Sequence, residues 1–415
     1  MIFVRVAERR SKQARVLRND ERILDAATRL AAERGWSSFR LVNVGEYAGL
    51  SKRPVMDRYP NRSQLAAALW RERLDPALTQ ALTSVVAAGG QRGGPVDAAA
   101  LNSALEAFVR PSVELRAAAE ILLVSQYDAV VDAEVRAGLM AVVLHWCTPR
   151  SGELTRANAA RRAYLVLIAL GLLLAAGHSD APQADLAPRI SDLAMALADD
   201  RRPVALPKRR AQHVGRTTEF ATDDPDRDAL CEAALELVAT HGVDGTTTKA
   251  VAHLAGFSEA KLFLHFDSKM DLFQQAIDMQ QRRSGQDNTD FVAQVAQDHT
   301  RGIAEAVLFR ELMRPSVAQS RLLASEHKRV SFHEPEVQAK EEAVLASFLA
   351  SSWAEHPDAS AAEARSAFHY DYATGLGCLA LPILLPEAST LPYDVITVPM
   401  IDGTAEWRPA PQPRW

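Results

Sequence analysis

Lys52, Arg53 and Arg58 fall within one seven-residue stretch, directly behind the turn Ala48-Gly49-Leu50-Ser51. Ammonium and guanidinium groups gathered in this way neutralise phosphate oxygens, and the planar fork of an Arg matches the two acceptors on a guanine edge. Arg53 is the strongest candidate for such a base contact, with Lys52, Val55 and Arg58 beside it. At a constant shift of 207, Ala255-Gly256-Phe257-Ser258 repeats the turn, and Glu259, Ala260, Lys261 and His265 follow it. A run of charges is also the ordinary face of a solvated helix. For Glu259 and His265 the two readings stand level, because Glu repels phosphate unless it meets a cytosine amino group.

Other chemistry finds little support. There is no Gly-x-Ser-x-Gly elbow and no His-Glu-x-x-His run, and the glycine-rich run 89–94 lacks the Lys-Ser/Thr of a phosphate loop. Cys147, Cys231 and Cys378 are far apart and odd in number, which suits neither a disulfide framework nor a metal site. No catalytic residue, metal or cofactor is expected, and an enzyme is a remote alternative.

The elements that must position the basic residues are helices. Apolar residues recur at three and four, as in Ile23, Ala26, Ala27, Leu30 and Ala31. The pattern predicts a first helix capped by Asp20 and ending at Gly35, a second over 41–48 and a short third over 52–59. Gly49 makes the turn and Ser51 offers a cap to the third helix; Asn61 or Ser63 caps a long fourth. Residues 23–74 and 230–281 match without a gap, Gly35 with Gly242 and Ser51 with Ser258. Weaker matches continue at shifts of 202 to 204, pairing Ala163, Ala169, Gly171 and Leu172 with Ala367, Ala373, Gly375 and Leu376. Two whole homologous halves in one chain follow.

Charge separates the halves. Residues 1–74 hold 16 Lys and Arg against 8 Asp and Glu, whereas residues 223–283 hold 6 against 11. The whole-chain net charge of −5 therefore says little about a polyanionic partner. A basic arm precedes each module: Arg5, Arg9, Arg10, Lys12, Arg15 and Arg18 before the first, Arg201, Arg202, Lys208, Arg209, Arg210 and Arg216 before the second. The start MIFVRVAERRSK is too short an apolar run for an export signal, and the stretch 163–176 is too short to span a bilayer and suits a buried helix. A cytoplasmic protein without a membrane partner is expected.

The run Thr247 to Ser258, followed by Leu262-Phe263-Leu264-His265-Phe266-Asp267-Ser268-Lys269, resembles the N-terminal helix-turn-helix domain of the TetR family of bacterial repressors. Val44, Ala48-Gly49-Leu50-Ser51, Tyr59 and Leu65 fall at the matching places of the first half. The resemblance covers about fifty residues per half. It implies an all-α chain, each half a helix-turn-helix domain followed by a helical ligand-binding and dimerisation domain. The boundaries expected are an arm 1–19, domains 20–74 and 75–198, a basic linker 199–222, domains 223–281 and 282–386, and a Pro-rich tail 387–415, in which Tyr393 to Met400 reads as a short extended piece.

The resemblance also implies phosphate contacts from a Thr opening the second helix, an aromatic hydroxyl in the third and a Lys opening the fourth. The second half has Thr247 and Lys269 but Phe263 at the tyrosine place; the first has Arg40, Met56 and Arg62. Arg40, Arg62, Thr247, Lys249, Lys261, His265 and Lys269 thus join the candidate DNA contacts. The implied function is a ligand-responsive repressor on double-stranded DNA. Its effector, a small molecule, would meet residues among Phe108, Tyr127, Trp146, Tyr164, Phe332, Trp353, Phe368 and Tyr372, although aromatics at helical spacing are more often core. Helices around 133–147, 159–176, 336–353 and 362–381 take the place of the family's dimer interface, with Ala169, Gly171, Ala373, Gly375 and Gly377 as close-approach residues. The two halves are expected to pair within one chain, with further homodimerisation open. The alternative is that only the first module binds DNA and the second half serves dimerisation or protein interaction.

Overall fold

The computed structural model describes residues 2–89, 95–149, 155–176, 185–208, 223–354 and 360–403, and no strand occurs among them. The first half runs α1 (Ile2–Ser38), α2 (Leu41–Tyr47), α3 (Lys52–Arg58), α4 (Arg62–Leu69), α5 (Asp75–Gly89), α6 (Ala98–Val109), α7 (Val113–Val124), α8 (Ala129–Val135), α9 (Ala141–Cys147), α10 (Arg156–Ala176) and α11 (Ala187–Ala198). The second runs α12 (Pro225–Gly245), α13 (Thr248–Leu254), α14 (Glu259–His265), α15 (Lys269–Ala296), α16 (Arg301–Leu312), α17 (Ala318–Ser331), α18 (Pro335–Ala354), α19 (Ala361–Leu384) and α20 (Asp394–Ile401).

These helices form two compact units that cut across the repeat. One comprises Met1–Thr79 and Ser112–Gly138; the other comprises Gln80–Pro111 and Leu139–Trp415. The expected domain 75–198 is therefore divided, with α7 and α8 in the first unit and α6, α9, α10 and α11 in the second. The reason lies in α10, whose most extensive packing is against α19 of the other half.

In the first unit α1 lies along α7, and Ile23, Leu30, Phe39, Leu65 and Trp70 are fully buried. The helix begins at Ile2, so Asp20 sits inside it rather than capping it, and the basic arm continues the helix. The side chains of residues 2–16 lie outside the description. Positive φ occurs among the described residues only at Gly35, Gly49, Gly242 and Gly256, the same two places of each repeat. A side chain is strained in that region, so glycine there ends the first helix and turns the chain between the next two. Behind each helix break the following N–H is held by a buried carboxylate. Trp36 donates to Glu120 on α7 at 2.6 Å, and in the second unit Val243 donates to Glu326 on α17 at 2.6 Å. Arg329 then ties Glu326 to Asp244, at 2.8 and 2.7 Å.

In the second unit α10 and α19 cross on a local pseudo-twofold axis. The hydroxyls of Tyr164 and Tyr370, 206 residues apart, meet at 3.1 Å. A Cβ on Gly171 would collide with the carbonyl oxygen of Ala373, and one on Gly377 with that of Leu167. Gly171 and Gly377 are again 206 apart, as are Leu167 and Ala373, so the contact is reciprocal as in an isologous interface. The expected register of 204 is thus corrected: Gly171 corresponds to Gly377, while a Cβ on Gly375 would meet nothing. α10 is also longer than the stretch 163–176 suggested. Its 21 residues are long and apolar enough to cross a membrane, but 83% of the apolar window is buried against protein.

Between 387 and 403 the structure departs from the expected irregular tail. Asp394–Ile401 is a helix rather than an extended piece, with Val395, Ile396, Thr397 and Met400 buried, and it packs on α16 and α11. Pro399 sits inside it; burial of the apolar residues outweighs the proline signal. Residues 404–415 lie outside the description, as do 209–222 of the linker. Its preceding part packs on the second unit, where Val204 N–H donates to Asp394 at 2.8 Å.

Candidate nucleic-acid interface

In the first module the chain turns at Gly49 between α2 and α3, and the turn is held from outside. Arg22 on α1 donates to the carbonyl oxygens of Ala48 and Gly49 at 2.6 and 3.2 Å. Sequence reasoning passed over Arg22, whose spacing on α1 carries no signal of this role. Ser51 occupies the N-cap position of α3 but its side chain makes no cap bond, whereas Asn61 caps α4 through Gln64 N–H at 2.9 Å. Ser63, the other cap candidate, donates to Asp128 instead.

The helix α3 presents Lys52, Arg53, Met56 and Asp57 to solvent. Arg53 lies 3.8 Å from Asp57 one turn on, a weak exposed pair. Val55, proposed beside them, is 0% exposed and belongs to the core, so it has no surface to offer a base. Arg58 is turned back to Asp20 on α1 at 3.3 Å and rests on the Tyr59 ring, so it braces the module. Asp20 thereby finds its role as a counter-ion. Arg40 stands exposed at the start of α2, and Arg62, half-buried at the start of α4, stacks over the Trp36 ring at 4.4 Å.

The second module has the same frame with its caps complete. Thr247, Ser258 and Ser268 accept from Ala250, Lys261 and Asp271 N–H at 3.2, 3.2 and 3.0 Å. Three of its candidate side chains, however, are engaged at home. Lys261 pairs with Asp226 at 2.5 Å and lies over the Phe257 ring; His265 meets Asp224 at 3.0 Å. Lys269 donates to the Thr246 carbonyl at 2.8 Å, and burial lowers its pKa against the pull of Asp244 and Glu326. Of the five residues proposed here, Thr247 and Lys249 are exposed. Asp224, Asp226 and His265 bring three ligand atoms within 4.8 Å, a spacing a metal ion could use, but the Lys261 ammonium already holds Asp226.

The effector candidates are scattered. Phe108 is core of α6, and Tyr164 is buried on the pseudo-twofold axis. Tyr127 and Trp146 are half-buried on α7's exit turn and on α9. Trp353 falls where side chains lie outside the description. Three come together: Phe332 and Tyr372 face the Lys328 ammonium at 5.5 and 5.6 Å, and Phe368 stacks on Tyr372. Lys328 pairs with Glu341 at 2.8 Å, and Tyr372 donates to the same carboxylate. A cleft of about 300 Å³ is lined by Asn102, Glu106, Arg110 and Asp185 among others, none of them an effector candidate.

A search of curated proteins returns no match. A family model does match, twice: the N-terminal domain of bacterial regulatory proteins, tetR family, aligns with residues 23–69 and with residues 230–276. Both matched stretches contain the helix–turn–helix just described, α2–α3 in one and α13–α14 in the other. The chain carries two tetR-family helix-turn-helix domains in tandem, the domain of a DNA-binding transcription factor.

Proposed function

We propose that one copy of this chain acts as an intramolecular pseudo-dimer, a repressor that occupies a whole operator with its two unlike modules. The reciprocal contact of α10 with α19, closest at Gly171 and Gly377 and joined by the Tyr164 and Tyr370 hydroxyls, carries this reading. A homodimer would form such an interface between two chains; here both sides come from one. Arg53 and Lys52 are the base-reading candidates of the first module, with Arg40 and Arg62 on phosphates. The likeness to tetR-family regulators supports repression and a small-molecule effector, and the aromatic group of Phe332 and Tyr372 about Lys328, with Phe368 stacked on Tyr372, supports seeking its site between α17 and α19. The test is the mass of the operator complex by sedimentation or native mass spectrometry. One chain per operator is expected; two chains on every operator would overturn the proposal.

One observation favours a second reading, in which only the first module binds DNA. Lys261, His265 and Lys269 are all held by the protein's own acceptors. If Lys261→Ala and Lys269→Ala leave both affinity and salt dependence unchanged, the phosphate grip lies in the first module.

A further inference from the structure

The outward face of α14 differs in kind from that of α3. At the repeat shift of 207, Arg53, Met56 and Asp57 correspond to Ala260, Phe263 and Leu264. These three stand at i, i+3 and i+4 and so share one helix face. Phe263 is 49% exposed and Leu264 81% exposed, while Leu262 and Phe266 on the other side are buried. The neighbouring polar groups are committed elsewhere: Lys261 to Asp226, His265 to Asp224, and Glu259 to the Thr248 hydroxyl. The helix thus offers a groove no free guanidinium or amide for a base edge. It offers a small residue flanked by two large apolar ones.

The base-pair feature that matches this chemistry is the C5-methyl group of thymine, which lies in the major groove and takes apolar contacts. We infer that the second module reads thymine methyl groups through Phe263 and Leu264, so that the operator joins a guanine-bearing half-site under α3 to a thymine-rich half-site under α14. The inference rests on the DNA-binding reading above and names what the second module recognises. Within it, the acidic balance of this module has a use: with few phosphate contacts available, discrimination comes from apolar contact, and the first module supplies most of the electrostatic grip.

The test begins with operators selected from random DNA by the full chain. Each is rebuilt with deoxyuridine replacing thymine in one half-site at a time, which removes the methyl and keeps the base pair. In the half-site under α14 each contacted methyl lost should weaken binding about fourfold, the equivalent of one buried CH₂. Leu264→Ala, at an exposed position, should bind the thymine and uracil forms of that half-site more nearly alike, and Phe263→Ala with Leu264→Ala should erase the difference. Arg53→Ala should leave the methyl sensitivity intact. Equal affinity for both forms, with the Phe263 and Leu264 variants still weakened, would overturn methyl reading and leave DNA binding by the second module standing. Selection of a single half-site indifferent to Phe263 and Leu264 would overturn it in favour of an apolar surface for another macromolecule. Failure to select any DNA would instead overturn the function on which it rests.

Discussion

On α3, side chains two residues apart have opposite fates. Arg53 faces solvent and Val55 is wholly buried, although both sit in the stretch that reads as the DNA-contacting helix. The types of these residues are legible in the sequence; which face each takes follows only from the helical period, which sets positions two apart on opposite sides. The two should therefore respond oppositely to truncation. Arg53→Ala should weaken operator binding by about 1–3 kcal/mol and relax preference at one base pair, with the melting temperature unchanged. Val55→Ala should lower stability by about 2 kcal/mol by opening a cavity beneath α3, with base preference retained in the folded fraction. Thermal unfolding and gel-shift titration of the two variants separate the roles, and a destabilised Arg53→Ala would show that this side chain braces the module. Arg58 and Lys261 illustrate why charge alone misleads: each lies on the helix expected to read bases, yet each is paired with an Asp on the preceding long helix. No local pattern announces such long-range partners.

Between elements, buried charges act as fasteners. Glu326 on α17 receives the Val243 N–H just past the break at Gly242, and Arg329 completes the group with Asp244. Glu326→Ala would leave the Val243 donor and the buried Arg329 under-satisfied. A loss of about 3 kcal/mol in urea unfolding is expected, and a change under 1 kcal/mol would mean that water replaces the carboxylate. The first module repeats the bond through Glu120, but Leu123 stands where the second has Arg329. A second fastener joins α17, α18 and α19 through Lys328, Glu341 and Tyr372. Burial alone would raise the Glu341 carboxyl, but the Lys328 ammonium, with hydrogen bonds from Lys328, Ser331 and Tyr372, overcomes this and holds it at about 2. A carboxylate depressed on folding stabilises the protein above its unfolded pKa, and that contribution is lost as pH falls through the folded value. Between pH about 4.5 and about 2, stability should therefore drop by roughly 2–3 kcal/mol on this account. Glu341→Gln should flatten that part of the pH profile; an unchanged profile would assign acid sensitivity to other carboxylates. The helices that carry these groups were largely readable from apolar period and caps, whereas α20 was hidden because Pro399 and the prolines around it mask a helix stabilised by tertiary burial.

For the whole molecule the deciding feature is a close approach between helices far apart in the chain. The duplication was plain in the modules, where no gap intervenes, and faint beyond them, where small-residue helices resemble one another at several registers. A register of 204 pairs Gly171 with Gly375; the reciprocal contacts set it at 206 and pair Gly171 with Gly377. Replacing an ordinary mid-helix glycine by alanine gains about 1 kcal/mol in helix propensity. At Gly171 the added methyl meets backbone atoms of Ala373 and Gly377, and at Gly377 it meets the Leu167 carbonyl, so the neighbours cannot yield by a rotamer change. Gly171→Ala and Gly377→Ala should therefore destabilise, by about 1–3 kcal/mol from overpacking, whereas Gly375→Ala, with open space around it, should be neutral or stabilising. The same variants test the pseudo-dimer. Loosening α10 from α19 should cost affinity for an operator with both half-sites more than for a single half-site, because only the former needs the two modules held together. Equal losses on both DNAs would show that this interface serves stability alone, and a stabilised Gly171→Ala would rule out the close approach that pairs α10 with α19.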